Sequence, residues 1–262
     1  MFKDYNFTFD KRHSQDMNTV ICNLDSGLME SNFGILQTVV EDKIVGKDTP
    51  YFYKIDRQTF TFPLTITKID SNGELINLDR NTRSELVRWL VKDSYREFRS
   101  PDYPNQIFYV IFTEGKSYIS GGNQGYLTLT GRLNSAYSYQ EKVVTAKDYS
   151  NKVFSIMYMN NLSNVIDNYK PELEFTLVGL ATDITIKNLR NNKSLIFTGL
   201  TPGETIYVNN GTAQIKSSLG ITRLDKCNRE WMSLDYGENK IQITTNLGGC
   251  KISFTTQFPM AI

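Results

Sequence analysis

The fold class is decided by an alternating stretch in the first half of the chain, Thr59-Phe60-Thr61-Phe62-Pro63-Leu64-Thr65-Ile66-Thr67. Apolar side chains occupy every second position, so one face of a β-strand would lie on a core and the other would meet solvent. Pro63 has no N–H group to donate within a sheet, which predicts an edge strand or a bulge. The stretch therefore indicates a β domain.

Turn residues divide the following part of the chain into further short strands. Glu114-Gly115-Lys116 and Gly121-Gly122-Asn123-Gln124-Gly125 are typical turn sequences. The apolar or alternating runs between them predict an antiparallel meander with strands at residues 107–113, 117–120 and 126–133.

One segment has the pattern of a helix. Thr82-Arg83-Ser84-Glu85 has the form of a capping box, in which the Thr82 and Glu85 side chains would bond to free N–H groups of the first turn. Apolar residues follow at helical spacing and would form a buried stripe: Leu86, Trp89 and Leu90. The sequence predicts a helix over about 82–93, with Trp89 as a packing residue.

The second half of the chain also alternates short strands with turns. Asn210-Gly211 favours a type I′ hairpin turn, because both residues tolerate positive φ angles. Turns roughly every 8 to 12 residues are typical of a β-sandwich. Strands are predicted at residues 173–178, 184–189, 195–198, 205–208, 213–216, 240–244 and 250–255.

The chain length and two polar stretches predict two domains. At 262 residues the chain approaches the upper size of a single hydrophobic core. Lys147-Asp148-Tyr149-Ser150-Asn151-Lys152 and Asn160-Asn161-Leu162-Ser163-Asn164 interrupt the strand pattern. We therefore expect an N-terminal domain at residues 1–140, a linker region at 141–172 and a C-terminal β-sandwich at 173–262.

Composition and charge exclude several classes of protein. Lys plus Arg is 29 and Asp plus Glu is 28, so no global field would attract nucleic acid or an anionic membrane. Cys22, Cys227 and Cys250 are too widely spaced for a CxxC metal clamp and predict free thiols in a reducing cytoplasm. The N-terminus does not resemble a signal peptide, and no apolar run has the ~18 residues of a membrane-spanning helix.

No set of residues in the sequence predicts catalysis, and we expect neither a cofactor nor a metal. His13 is the only histidine and lies in a polar stretch, so histidine-dependent nucleophilic sites and zinc sites have little support. Paired carboxylates of a glycosidase remain an alternative, because such residues can be far apart in sequence. The candidate pairs are Glu41/Asp42, Glu172/Glu174 and Asp235/Glu238, and a role at solvated strand ends is favoured for each.

Six basic residues lie on and beside the predicted helix: Arg80, Arg83, Arg88, Lys92, Arg96 and Arg99. The acidic residues Asp79, Glu85, Asp93 and Glu97 are interspersed among them. This mixture favours a solvated face over a nucleic-acid footprint, although an inner surface that faces DNA could have a similar composition.

Several stretches, taken in order, resemble the distal tail protein (Dit) family of long-tailed bacteriophages. In the second half, Trp231-Met232-Ser233-Leu234-Asp235-Tyr236-Gly237-Glu238-Asn239-Lys240-Ile241 is similar to a W-x-x-L-x-x-G-x-N-x-I stretch of the family's galectin-like domain, in which Gly237 and Asn239 would form a turn. The stretches that carry the resemblance in the first half are Arg83-Ser84-Glu85-Leu86-Val87-Arg88-Trp89-Leu90, Pro101-Asp102-Tyr103-Pro104, Ile107-Phe108-Tyr109-Val110 and Gly125-Tyr126-Leu127-Thr128-Leu129, with weaker support from Ser31-Asn32-Phe33-Gly34-Ile35 and Phe60-Thr61-Phe62-Pro63-Leu64.

The resemblance implies a mainly β protein with an N-terminal β-sandwich-like domain, one α-helix, a hairpin arm at about residues 36–58 and a C-terminal galectin-like β-sandwich. It implies a non-enzymatic structural protein of the virion tail, assembled in the host cytoplasm. A homo-hexameric ring, made mainly by the N-terminal domains, would join the tail tube to the baseplate or tail tip and leave a channel for DNA.

The partners that the resemblance implies are the tail tube protein, a tail tip or baseplate hub protein and the tape measure protein, without sequence-specific nucleic acid or a membrane. A carbohydrate-binding module for host cell-wall saccharide is the alternative function, suggested by the sandwich-like second half. Sugar sites need an aromatic platform among convergent polar groups. Trp231 lies in the turn motif, where core packing is the favoured role.

Overall fold

The chain is mainly β and divides into two units, which confirms the predicted fold class. The computed structural model describes residues 2, 4–22, 36–166 and 168–262, so Ser31-Asn32-Phe33-Gly34-Ile35 lies outside the described residues. The first unit comprises residues 1–140 and 260–262, and the second comprises residues 141–259. The second unit is thus inserted between two segments of the first.

The first unit contains ten strands and one α-helix within the described residues. A short 3-10 helix, Ser14–Met17, follows the second strand. The strands are β1 (Thr8–Phe9), β2 (Arg12–His13), β3 (Thr19–Ile21), β4 (Gln37–Asp42), β5 (Tyr51–Arg57), β6 (Thr61–Lys68), β7 (Arg96–Arg99), β8 (Phe108–Ile119), β9 (Gly125–Leu133) and β10 (Ser138–Tyr139), and the helix is α1 (Arg80–Leu90).

Seven of these strands form one antiparallel sheet in the order β2-β1-β7-β8-β9-β6-β3, and β4 and β5 form a separate hairpin. The alternation predicted in β6 is confirmed, since Phe62, Leu64 and Ile66 are buried in the core of the unit. Pro63 pairs with Thr130 of β9 on one side. On the other side, β3 pairs with β6 only beyond Pro63, so the proline occupies an edge segment within the described residues.

The helix is confirmed, but its N-cap is Asp79 and the capping box predicted at Thr82 is wrong. The Asp79 carboxylate accepts a hydrogen bond from the backbone N–H of Thr82 at 2.8 Å, which lowers the pKa of Asp79. Glu85 instead accepts a bond from Lys68 Nζ at 2.9 Å. Both Asp79 and Thr82 fit the local capping pattern, and the earlier one begins the helix. The predicted stripe of Leu86, Trp89 and Leu90 is buried.

β8 is one long strand, so the turn predicted at residues 114–116 is wrong. Its register with β9 shifts between Phe112 and Glu114, which leaves Thr113 as an extra residue in the ladder. Glycine at position 115 here belongs to a strand that continues past a bulge. The turn predicted at residues 121–125 is confirmed: Ser120 N–H donates to Gln124 O at 2.8 Å.

The second unit is a β-sandwich with a separate short ladder and a 3-10 helix, Leu224–Lys226. The strands are β11 (Val143–Tyr149), β12 (Phe154–Asn161), β13 (Asn168–Tyr169), β14 (Glu172–Val178), β15 (Ile184–Asn188), β16 (Ser194–Phe197), β17 (Thr205–Asn209), β18 (Gln214–Ser217), β19 (Leu234–Asp235), β20 (Gly237–Thr245), β21 (Gly249–Thr256) and β22 (Pro259–Met260). A five-stranded sheet has the order β11-β21-β14-β17-β18, and a four-stranded sheet has the order β12-β20-β15-β16. Strand β13 pairs with β19, and β22 pairs with β10.

The linker expected at residues 141–172 is wrong, because this segment contains β11, β12 and β13. β11 is an outermost strand of the five-stranded sheet, and β12 is an outermost strand of the four-stranded sheet. β11 pairs with β21, and β12 pairs with β20. The polar residues that suggested a linker have internal partners. Asn161 Nδ2 donates to Leu234 O at 3.1 Å, and Ser163 Oγ donates to Pro259 O at 2.6 Å. Polarity here serves hydrogen bonds within the unit.

The hairpin predicted around Asn210-Gly211 is present between β17 and β18, but it is not a two-residue type I′ turn. Asn209 pairs with Gln214, so four residues form the loop, and the positive φ angle of 57° belongs to Ala213. Asn210 is buried and donates through Nδ2 to Pro171 O at 2.7 Å. Its side chain is needed for this bond, which a local turn pattern does not reveal.

A buried ion pair ties the loop before β17 to the segment after β18. The side chain of Glu204 is fully buried, and Arg223 Nη2 lies 2.7 Å from its Oε2. Burial raises the pKa of Glu204, but hydrogen bonds from Arg223, the Ser217 hydroxyl and the Thr201 N–H outweigh it and bring the pKa to about 2. The carboxylate is therefore ionised in the folded protein at neutral pH.

Replacing the observed cap should destabilise the helix more than replacing the predicted one. Asp79→Ala removes the acceptor for the Thr82 N–H and should lower the thermal midpoint of the protein by a few degrees. Thr82→Ala leaves that bond in place and should change the midpoint much less. Differential scanning calorimetry of both variants measures the difference, and equal effects would contradict the assignment of the cap.

Glu204→Gln should reduce the free energy of unfolding of the second unit by about 2 kcal/mol, since a charged hydrogen-bond acceptor is lost. The control is Lys251→Ala, which breaks a pair whose side chains are 62% exposed and should have little effect. Urea unfolding at neutral pH measures both variants.

The ion pair of Glu204 and Arg223 makes the stability of the second unit depend on pH. The pKa of Glu204 falls from an ordinary value of 4.5 to about 2 on folding. The ionised carboxylate therefore contributes fully to the free energy of unfolding above pH 4.5, and this contribution is lost as the pH falls toward 2. The difference in unfolding free energy between the wild type and Glu204→Gln should shrink over that window. A difference that grows on acidification would refute this role.

Candidate assembly surface

A hairpin that leaves both of its faces in solvent is the first candidate surface. Residues 36–58, called the arm below, contain β4 and β5, which pair antiparallel with a register shift between Val40 and Glu41. Neither strand contains a buried residue. The structure therefore shows a hairpin in the segment where the resemblance implied one.

The arm carries large apolar side chains that its own chain does not cover. Phe52 is 60% exposed and Val45 is fully exposed. An isolated two-stranded hairpin is marginally stable, and exposed apolar patches of this kind mark interaction sites. The exposed apolar side chains of the arm are Leu36, Val39, Ile44, Val45, Tyr51, Phe52, Tyr53 and Ile55.

The base of the arm is fixed by hydrogen bonds. Gln58 N–H donates to Leu36 O at 3.0 Å, and Gln58 Nε2 donates to Thr38 Oγ1 at 2.9 Å. Arg57 Nη1 donates to the Tyr137 hydroxyl at 2.5 Å, which joins the base to a residue next to β10. The two strands thus leave the unit together in a defined direction.

A groove beside α1 is the second candidate surface. Val87 and Val91 of the helix form one wall, and Gly115 of β8 with Leu127 and Leu129 of β9 lies opposite. The groove has a volume of about 360 Å³. Val87 and Val91 are 55% and 53% exposed. We call this feature the α1 groove.

The specific apolar residues of these two surfaces were not identified from the sequence. A signal for the arm exists: in Tyr51-Phe52-Tyr53-Lys54-Ile55, apolar residues fill consecutive positions, so both faces of a strand become apolar. The α1 groove has no comparable signal, because its walls come from three separate segments of the chain.

The six basic residues near α1 form a mixed surface with the acidic residues around them. Asp10 lies 3.4 Å from Lys92 Nζ and 4.0 Å from Arg96 Nη1, and Arg99 lies 3.2 Å from Glu97. Asp10, Arg88 and Lys92 line a polar cavity of about 600 Å³ between the β1–β2 turn and the helix. Neighbouring charges of opposite sign reduce the positive field expected from the count of arginines.

The residues considered for catalysis are distributed over several elements of the fold. His13 Nδ1 accepts a hydrogen bond from Gln15 N–H at 3.2 Å and so caps the 3-10 helix. Among the candidate carboxylates, Glu41 and Asp42 lie on the arm, Glu172 and Glu174 lie on β14, and Asp235 lies beside Arg190.

The thiols are also poorly suited to nucleophilic chemistry. Burial raises the pKa of Cys250 to about 11 and raises that of Cys227, so both stay protonated at neutral pH. Within the part of the chain that the structure describes, no group of His, Cys, Asp or Glu side chains is arranged to hold a metal ion. The described helices include none that is long and apolar enough to cross a membrane.

The turn predicted at Gly237 and Asn239 is wrong, because both residues belong to β20, where Gly237 pairs with Asn161 and Asn239 pairs with Met159 of β12. The buried amide of Asn239 instead joins the start of this strand to Asp235. Asn239 Nδ2 donates to Asp235 O at 2.7 Å and to Gly237 O at 2.8 Å, while its Oδ1 accepts from Asp235 N–H. Gly237 has a φ angle of 84°. Trp231 is half-buried and packs against the core of the second unit.

Comparison with known proteins identifies the family. A model described as a phage tail protein N-terminal domain matches residues 2–135, and one described as a phage tail C-terminal domain matches residues 137–256. No curated protein matches the sequence.

Two solved structures are similar to this chain to different degrees. The Dit protein of phage SPP1, described as a paradigm of the hub adsorption apparatus in phages that infect Gram-positive bacteria, is similar over 98% of this chain and 100% of its own, with a TM-score of 0.69 and 14% identity. The baseplate of phage P2 in its activated conformation contains a chain with a TM-score of 0.44 and 10% identity, over 87% of this chain and 88% of that one.

The two family models together span most of the sequence, and the fold is similar to that of the SPP1 protein over nearly the whole chain. The chain therefore belongs to the phage tail protein family and has the fold of the distal tail protein Dit.

Proposed function

We propose that this phage tail protein is a hexameric ring hub that joins the tail tube to the baseplate or tail tip and leaves a central channel for DNA. The first unit, residues 1–140 with 260–262, forms the ring. The observation that carries the proposal is the arm, whose apolar faces are uncovered in a single chain.

The form of the arm favours a ring over a symmetric dimer. An arm that reaches a different surface on the next copy makes a head-to-tail contact, and such contacts close into rings when the rotation between copies allows it. Covering the arm removes apolar area from water, which is the dominant favourable term in association. The family match and the Dit fold support a place in the tail.

The proposed role is structural and not enzymatic. The ring would contact the tail tube protein on one side and a tail tip or baseplate hub protein on the other, with the tape measure protein passing between them during assembly in the host cytoplasm. Saccharide binding has less support. Trp231, its aromatic candidate, packs against the core of the second unit, which favours a packing role over sugar binding.

The ring predicts a defined mass in solution. Light scattering after size exclusion should give about 180 kDa, six times the 30.1 kDa of one chain. Phe52→Ser combined with Ile55→Ser should yield folded monomers, because the arm loses its largest apolar contacts. A matched control is Phe154→Ser in the second unit, where Phe154 is 52% exposed, and it should leave the hexamer intact.

Circular dichroism verifies that the arm variant is folded. A wild type that remains monomeric at every concentration would refute the ring. Hexamers that persist in the arm variant would show that the arm does not hold the ring together.

A further inference from the structure

The polar cavity beside α1 contains two arginines that lack a carboxylate partner. Its charged lining residues are Asp10, Arg12, Glu85, Arg88 and Lys92. In the part of the chain that the structure describes, no acidic side chain forms an ion pair with Arg12 or Arg88. Two guanidinium groups therefore face the same cavity without a negative charge from their own chain.

The two acidic groups of the cavity are already engaged by other cations. Asp10 Oδ2 lies 3.4 Å from Lys92 Nζ, and Asp10 Oδ1 lies 4.0 Å from Arg96 Nη1. Glu85 accepts a hydrogen bond from Lys68 Nζ at 2.9 Å. Arg96 Nε is buried without a hydrogen-bond partner. Cationic donors thus exceed acceptors in this region, and an added anion would correct the imbalance.

The two arginines keep most of their hydrogen-bonding capacity. Arg12 Nη1 lies 3.2 Å from Met17 Sδ, and a thioether is only a weak acceptor. A guanidinium group presents five N–H donors in one plane. The side-chain amide of Asn81 adds two more donors to the lining of the cavity.

Both arginines are carried by rigid elements. Arg12 begins β2 directly after a two-residue turn, in which Asp10 and Lys11 have φ angles of 49° and 66°, as a type I′ turn requires. Arg88 lies in the last turn of α1, where its carbonyl oxygen accepts a bond from Lys92 Nζ at 3.2 Å. A site whose backbone is already ordered loses little conformational entropy when it binds a ligand.

The chemistry of the cavity fits protein carboxylates better than nucleic acid. Its volume of about 600 Å³ lies within the usual range of ligand pockets. A guanidinium group can hold a carboxylate through two parallel hydrogen bonds. A DNA backbone instead needs a continuous basic surface. Asp93 follows Lys92, its side chain is 94% exposed, and it would repel a neighbouring phosphate group.

We propose that the polar cavity binds an acidic segment of a partner protein, whose carboxylates pair with Arg12 and Arg88. The lining residues all belong to the first unit of one chain. The inference therefore does not depend on the proposed ring, and it adds a polar contact site separate from the arm.

Calorimetric titration of the full chain at low ionic strength tests the site. The probe is a short polyglutamate peptide, and a polyglutamine peptide of the same length is its neutral counterpart. Polyglutamate should bind, and polyglutamine should give no heat of binding. Arg12→Gln combined with Arg88→Gln should weaken polyglutamate binding by about tenfold or more, because two charge-assisted contacts are lost.

The matched control is Arg83→Gln combined with Lys116→Gln, which removes the same charge from the α1 groove. Its affinity for polyglutamate should change by less than about twofold, since screened charges outside the site contribute little. Arg12 and Arg88 are both exposed, and circular dichroism verifies that each variant is folded.

Three results would overturn the inference. Polyglutamate that does not bind would remove the site, and an equal loss of affinity in both double variants would show that binding follows net charge alone. Duplex DNA that binds more tightly than polyglutamate, and loses affinity in the Arg12/Arg88 variant, would make nucleic acid the ligand. Light scattering on the same samples reports the oligomeric state separately, so failure of the cavity and failure of the ring are distinguishable.

Discussion

The position of α1 depends on Trp89, and the α1 groove depends on the position of α1. The indole stacks on Phe7 with ring centres 5.3 Å apart, and Phe7 stacks in turn on Phe98. The indole N–H donates to Phe9 O at 3.1 Å. A stack and a directional bond on one side chain fix both the height and the rotation of the helix over the sheet. Val87 and Val91 consequently face the groove.

The packing of Trp89 gives α1 one apolar face in the core and a second apolar face in the groove. One stripe of α1 completes the core, a second apolar flank remains uncovered, and the charged positions between them form ion pairs or meet solvent. A helix that served only its own core would need one apolar stripe. The arm shows the same excess, since β4 and β5 are apolar beyond what their pairing requires. An excess of uncovered apolar surface at two separate places is the physical basis of the assembly that we propose.

Much of the fold could be predicted from periodicity. The alternation around Phe62 and Leu64 and the stripe of Leu86, Trp89 and Leu90 each report a buried face, and burial is what periodicity measures. The errors occurred where a local pattern had two meanings. Asp79 and Thr82 both fit an N-cap, Gly115 fits a turn as well as a bulged strand, and Asn161 looks solvated although its amide is bonded inside the second unit.

Less of the candidate assembly surface than of the fold could be predicted from the sequence. The resemblance to the Dit family indicated an arm, but only the structure shows that both of its faces are exposed. The α1 groove forms where α1 meets the hairpin of β8 and β9, which are separate elements of the chain. Local pattern carries no information about empty space between separate elements, so a groove becomes visible only when the chain is folded.

The inserted position of the second unit has a consequence for how such tail proteins diversify. The chain leaves the first unit after β10 and returns to it in β22, and these two strands pair with each other. Points of exit and entry that lie side by side can accept a different inserted domain at a small cost in loop-closure entropy. Exchange of residues 141–259 for another domain would therefore leave the first unit unchanged.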